Sequence, residues 1–243
     1  MGVFKPVFKY KQSEFWKSFK ISLNNRLEMD FFKKLYEELF DKYGPQGWWP
    51  LLNVKGTNPT KTGSIKGYHP KDYSYPRNER QRFEICIGAI LTQNTSWANV
   101  EKALINLKEN NLLEPKSLIE CNEDLVKALI KPSGYFNQKS ERLKIFSRFY
   151  LTLKGKMPER KELLAVKGIG PETCDSILLY AYKVPTFVVD AYTKRLLIRI
   201  GIIDKGYGYY EIKELFESNL KRSLEVFQEF HALIVENEKR EKH

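Results

Sequence analysis

Apolar residues recur at three- and four-residue intervals through nearly the whole chain, and that spacing restricts the fold more than any other feature. Trp97, Val100, Leu104 and Leu107 fall on one helical face, and Leu125, Val126, Leu129 and Ile130 on a second. Leu143, Phe146, Phe149, Tyr150 and Leu153 mark a third, and Leu224, Phe227, His231 and Ile234 a C-terminal one. Two more helices are expected near 13–27 and 30–42. The period-two alternation of half-buried strands is nearly absent. Only "TFVVD" (186–190) is a β-branched run, and it is too short to build a sheet. The fold class is all-α.

With 243 residues, 42% hydrophobic and 14% aromatic, the chain can bury a proper core and is globular rather than disordered. One stretch breaks the helical period. Residues 53–80, "NVKGTNPTKTGSIKGYHPKDYSYPRNER", carry Gly, Pro, Asn and Ser throughout, and a loop of that length is either functional or mobile. It divides an N-terminal region from a helical body that starts near Arg82.

The charge balance is lopsided, with 41 Lys and Arg against 30 Asp and Glu, a formal net of +11. Part of the excess is local. Residues 131–161 hold nine basic side chains against Glu141 and Glu159. That distribution suits a polyanionic partner, nucleic acid before an anionic membrane surface. No run approaches the roughly 20 apolar residues of a membrane span, and "MGVFKPVFKY" lacks the apolar core of a signal peptide. Three cysteines (Cys86, Cys121, Cys174) are too few for a disulfide framework. A soluble, monomeric, cytoplasmic protein is expected, with no membrane partner.

The stretch "LLAVKGIGPETCDSILLYAY" reads as helix, tight turn, helix. Gly168 and Gly170 permit the backbone angles of a hairpin and the close approach of another chain. Pro171 suits the first position of the second helix, where its missing N–H would be unpaired anyway. Free N–H groups at such a turn form an anion site, which a DNA phosphate fits without any base being read. Twenty residues after Gly170 stands Asp190, led in by the apolar pair Val188–Val189 and opening the next helix, "AYTKRLLIRI". Aspartate is a favoured helix N-cap. A carboxylate approached from the interior is also a candidate for chemistry, and the two roles are compatible. Lys194 and Arg195 follow within about a turn.

"VKGIGPETC" followed by "VVDAYTKRL" resembles the helix-hairpin-helix DNA glycosylases of the endonuclease III superfamily, and "GAILTQNTSW" (88–97) resembles that family's first barrel helix and the turn after it. "PQGWWP" (45–50) and "PSGYFNQKSERL" (132–143) are further similar to the 3-methyladenine DNA glycosylase III branch. The resemblance implies a six-helix barrel lobe over 76–184, a second lobe from 1–75 plus 185–243, and a DNA-binding cleft between them. It implies Asp190 as the catalytic carboxylate, Gln93 as a polar wedge filling the gap left by a flipped nucleotide, and Trp48 and Trp97 as facing walls of the base pocket, with Trp49 beside them. Phosphate contacts are expected from Lys167, Gly168, Gly170 and Thr173 of the hairpin and from Lys194 and Arg195. The implied partner is double-stranded DNA with damaged bases, which places the protein at the nucleoid.

Departures from the family pattern refine this expectation. Members that also cut the strand carry lysine in the hairpin as G-x-G-x-K, an amine that forms a Schiff base with the sugar. Here Glu172 stands at that position, and Lys167 lies across the turn, a poor substitute. A monofunctional glycosylase is expected, acting on alkylated purines such as 3-methyladenine, whose positive ring suits tryptophan faces. No cysteine follows Cys174, so neither an iron–sulfur cluster nor a zinc site is expected, and no cofactor. The branch carries a lysine on the C-terminal helix, where Leu233 is the apparent counterpart, and His231 is expected to be a core histidine. Three other functions stay open: a uracil or thymine-mismatch glycosylase, an endonuclease III-like glycosylase/AP lyase, and a non-catalytic hairpin protein that only clamps phosphates.

Overall fold

The computed structural model describes residues 25–60 and 66–241, with side chains from residue 31 onward. Its helices are α1 (Asn25–Tyr43), α2 (Glu79–Leu91), α3 (Trp97–Glu109), α4 (Pro115–Glu120), α5 (Glu123–Ile130) and α6 (Phe136–Thr152). They continue with α7 (Arg160–Ala165), α8 (Pro171–Ser176), α9 (Ala191–Arg199), α10 (Tyr209–Asn219) and α11 (Leu224–Arg240). The helix expected near 30–42 is α1; most of the one near 13–27 lies outside the described residues. Among the described residues only a lone bridge, Thr57 to Lys66, has strand character. "TFVVD" is an extended connection, as its length demands.

Local chemistry sets the boundaries. Asn78 accepts from the Gln81 amide to start α2, and Asn122 accepts from that of Asp124 to start α5. Pro115 and Pro171 occupy first-turn positions, where a missing N–H costs nothing. Beyond Ser176 the helix widens into a π turn, Ile177–Ala181, every residue of which is buried. α2 packs against this turn and against α3, while α4 and α5 pack on α6. The first and last described helices meet: α1 lies on α10 and α11, and α11 on α9. Phe187, Phe216, Phe227 and Phe230 are fully buried there, with the Phe187 and Phe216 rings stacked 3.9 Å apart. No helix among the described residues is long and apolar enough to cross a membrane.

The region around residues 53–80 has a definite task. Leu51 N donates to Gly67 O, and His69 N donates to Gly47 O, both at 3.0 Å. The His69 ring sits between the carbonyls of Trp49 (3.0 Å) and Asp72 (2.8 Å). This strap holds the "GWWP" segment in place. At Gly47 a Cβ would stand 2.2 Å from Pro70 N, so only glycine lets strap and segment close together.

Candidate active site

Phe187, Val188 and Val189 are buried and carry the backbone through the core to Asp190. Asp190 is the N-cap of α9, and its two oxygens divide their work. Oδ1 accepts from Thr193 N (2.7 Å) and Thr193 Oγ1 (2.9 Å). Oδ2 faces Nε2 of His231 at 3.5 Å. Burial pushes the Asp190 pKa up; the His231 imidazole and the Thr193 donors outweigh it and hold the carboxyl below the usual carboxylate range. Oδ1 caps the helix, and Oδ2 meets the imidazole.

Asp190 lines a cavity of about 410 Å³ together with Trp48, Trp49, Trp97, Glu172 and His231. The Trp49 ring lies between the other two, 6.3 Å from Trp48 and 5.3 Å from Trp97 by ring centroids, nearly perpendicular to both. Trp49 is 6% exposed and rests on α2 at Gly88, where a Cβ would come within 3.1 Å of its Nε1. It is core and floor at once, and Trp48 and Trp97 flank it. The tryptophan segment is held by Glu229, buried on α11, which accepts from Gln46 N (2.6 Å), Gly47 N (3.3 Å) and Tyr73 Oη (3.2 Å).

His231 is buried, as expected of a core histidine, and its Nδ1 lies 2.7 Å from Tyr180 Oη, but it also borders the cavity. A phenol proton given to Nδ1 leaves the imidazole hydrogen on Nε2, aimed at Asp190. Leu233 is fully buried in the core. The C-terminal helix still brings a lysine to the cavity, Lys239, whose Nζ stands 5.9 Å from the Trp48 ring centroid. Burial lowers its pKa. Neither residue could be placed by pattern: His231 shares an apolar face with Phe227 and Ile234, and Lys239 lies in a run of charged residues at the chain end.

The hairpin is tied to the turn that carries Gln93. Gln93 Nε2 donates to Gly168 O (3.1 Å) and Thr173 Oγ1 (3.0 Å), and Gln93 Oε1 accepts from Arg142 Nη1 (2.6 Å). Gly168 adopts φ +89°, and the Arg142 side chain lies where its Cβ would be. Thr173 is buried and occupied with Gln93. Lys167 is exposed and pairs with Glu141 at 2.6 Å. Lys194 Nζ donates to Tyr207 O (2.6 Å), and Arg195 lies 3.4 Å from the buried Glu238. Gly170, the N-cap of α8, has open space around it. Among the phosphate candidates, then, Gly168 and Gly170 form the turn, Lys167 projects from it, and Thr173, Lys194 and Arg195 have partners within the protein. Among the described residues no three His, Cys, Asp or Glu side chains gather as a metal site.

Residues 87–222 match the family model of the HhH-GPD superfamily base excision DNA repair proteins. A protein named as a candidate DNA repair glycosylase of Methanocaldococcus jannaschii is 42% identical over 224 residues, 88% of either chain. Helicobacter pylori 3-methyladenine DNA glycosylase, solved with 1,N6-ethenoadenine bound, superposes with a TM-score of 0.65 at 28% identity, covering 91% of this chain and all of that one. A trapped endonuclease III–DNA covalent intermediate has the same fold, with a TM-score of 0.66 at 17% identity over 88% of this chain and 85% of that one. A helical hairpin, a capping aspartate open to an aromatic cavity and these relationships agree: the chain belongs to the HhH-GPD superfamily of base excision DNA repair glycosylases.

Proposed function

We propose that the protein acts as a monomer on duplex DNA and hydrolyses the N-glycosidic bond of damaged bases, alkylated purines such as 3-methyladenine among them, without cutting the strand. The observation that carries this is the Asp190 carboxylate, which caps α9 through Oδ1, meets the His231 imidazole through Oδ2 and lines a cavity walled by tryptophan. The damaged nucleotide is flipped out of the stack, at a cost of a few kcal/mol, and its base enters between Trp48 and Trp97. Gln93 lies on the turn nearest the hairpin, placed to occupy the vacated position once it leaves its partners there. Gly168, Gly170 and Lys167 hold phosphates, with Lys194 on α9 behind them.

As the bond between base and sugar lengthens, positive charge grows on the sugar. An ionised Asp190 stabilises that charge and takes a proton from the attacking water. The Thr193 and His231 donors keep Asp190 ionised for this purpose. Hydrolysis without a covalent intermediate is supported by Glu172 at the hairpin position where strand-cutting relatives carry lysine, and by Lys167 being paired at the surface with Glu141. The test is release of free base from defined lesion duplexes followed by chromatography. Released 3-methyladenine with an intact abasic strand is the expected result; nicked strands or no free base would contradict it.

A further inference from the structure

Glu172 is the one carboxyl of the cavity that has no employment inside the protein. Asp190 caps α9 through Thr193. The Glu172 carbonyl accepts from Ser176 Oγ at 2.8 Å, but its carboxyl makes no hydrogen bond or salt bridge with any described residue, and it lines the same cavity as the three tryptophans. The charged and titratable groups around it are Asp190 and Tyr192 at the start of α9, His231 and Lys239 on α11, and Tyr68 from the strap. It sits in the first turn of α8, so its backbone is fixed at the edge of the cavity that its side chain lines.

We infer that Glu172 is the general acid that protonates the departing base, so that the enzyme also excises neutral damaged purines, which leave poorly without a proton. The inference rests on the glycosylase function proposed above. In the step, a proton passes from the Glu172 carboxyl to a ring nitrogen. The bond between C1′ and the base breaks with its electron pair going to the base, water adds to C1′, and the water proton goes to Asp190. The sum is water consumed, neutral base and abasic sugar released, and one proton to return from Asp190 to Glu172 through solvent.

Two carboxyls in one site with opposed environments divide acid from base. Partial burial and the Asp190 charge raise Glu172 to about 7, against the pull of His231, whereas Asp190 is held low. The Glu172 side chain is open to solvent along the cavity, and DNA covering the mouth removes that water, favouring its neutral form further.

The experiment compares wild type with Glu172→Gln on two duplexes, one carrying the cationic base 3-methyladenine and one the neutral base 1,N6-ethenoadenine, across pH 5.5 to 8.5. Glutamine keeps the shape but cannot give up a proton. Excision of the neutral base should fall by about 10²–10⁴-fold, the usual contribution of a positioned acid, while the cationic base loses less than about tenfold. In the wild type the neutral-base rate should decline as pH rises through about 7, where Glu172 deprotonates, and that decline should vanish in the variant. Equal losses on both bases, no loss on either, or a wild type that releases only the cationic base would each overturn the assignment. Release of neither base by the wild type would overturn the glycosylase function itself, and this assignment with it.

Discussion

Asp190 Oδ2 and His231 Nε2 face each other across 3.5 Å, and Tyr180 Oη holds the far side of the imidazole at 2.7 Å. The pair joins the start of α9 to the middle of α11 and sets the state in which the carboxylate works. Removing the imidazole takes away a group that lowers the Asp190 pKa. His231→Asn should therefore shift the acid limb of the rate profile upward, so that activity is lost at a higher pH as the solution is acidified. Tyr180→Phe should move the limb in the same direction by less. An acid limb identical to wild type in both variants would show that the imidazole does not act on Asp190.

The tryptophans should separate by role. Trp48→Ala and Trp97→Ala each lose a stacking face, worth roughly 1–3 kcal/mol per base, so base release should slow while affinity for undamaged duplex holds. Trp49→Ala should instead destabilise the fold by about 3–5 kcal/mol, because Trp49 is buried against Gly88 and Tyr180. Thermal melting and single-turnover excision on the same three variants check the division.

Much of this site was legible in the sequence, and the reasons are local. The glycines and proline of the hairpin, the cap at Asp190 and the apolar run into it depend on backbone geometry within a few residues. The helical period placed α3, α5, α6 and α11. What was not legible depends on distant approach. His231 reads as core because it shares an apolar helical face with Phe227 and Ile234, and only the fold shows that its Nε2 edge meets Asp190, 41 positions earlier. The described part of 53–80 has no period to read because its work is done by single groups, the Gly67 carbonyl on Leu51 and the His69 amide and ring on Gly47 and Trp49.

Glu229 gives that grip a measurable energy. It is 1% exposed and accepts two backbone amides and the Tyr73 hydroxyl. Glu229→Ala leaves buried donors unpaired, which costs about 1–3 kcal/mol each. A clear fall in melting temperature is expected, together with weakened binding of lesion-bearing but not undamaged DNA. Unchanged melting would show that the segment is held by the strap alone.

Duplex binding should be steeply salt-dependent and nearly indifferent to sequence, because the expected contacts are to phosphates. Lys167 projects from the hairpin, with only Glu141 as partner. Lys167→Ala should reduce the slope of log affinity against log salt by about 1. A slope unchanged by the substitution would remove Lys167 from the interface.

Borohydride should trap no covalent complex between the wild-type protein and lesion-bearing DNA, since the hairpin carries Glu172 in place of an amine. If an adduct did form, Lys239 would be the first nucleophile to replace, because it borders the cavity while Lys167 lies outside it.

The central claim is that Asp190 is a catalyst as well as a cap, and Asp190→Asn separates the two. Asparagine caps a helix about as well as aspartate, and its side-chain oxygen can still accept from Thr193, so melting temperature and affinity for undamaged duplex should stay close to wild type. Single-turnover release of 3-methyladenine should fall on the order of 10²–10⁴-fold or more. A folded, DNA-binding Asp190→Asn protein that releases the base at the wild-type rate would contradict the account.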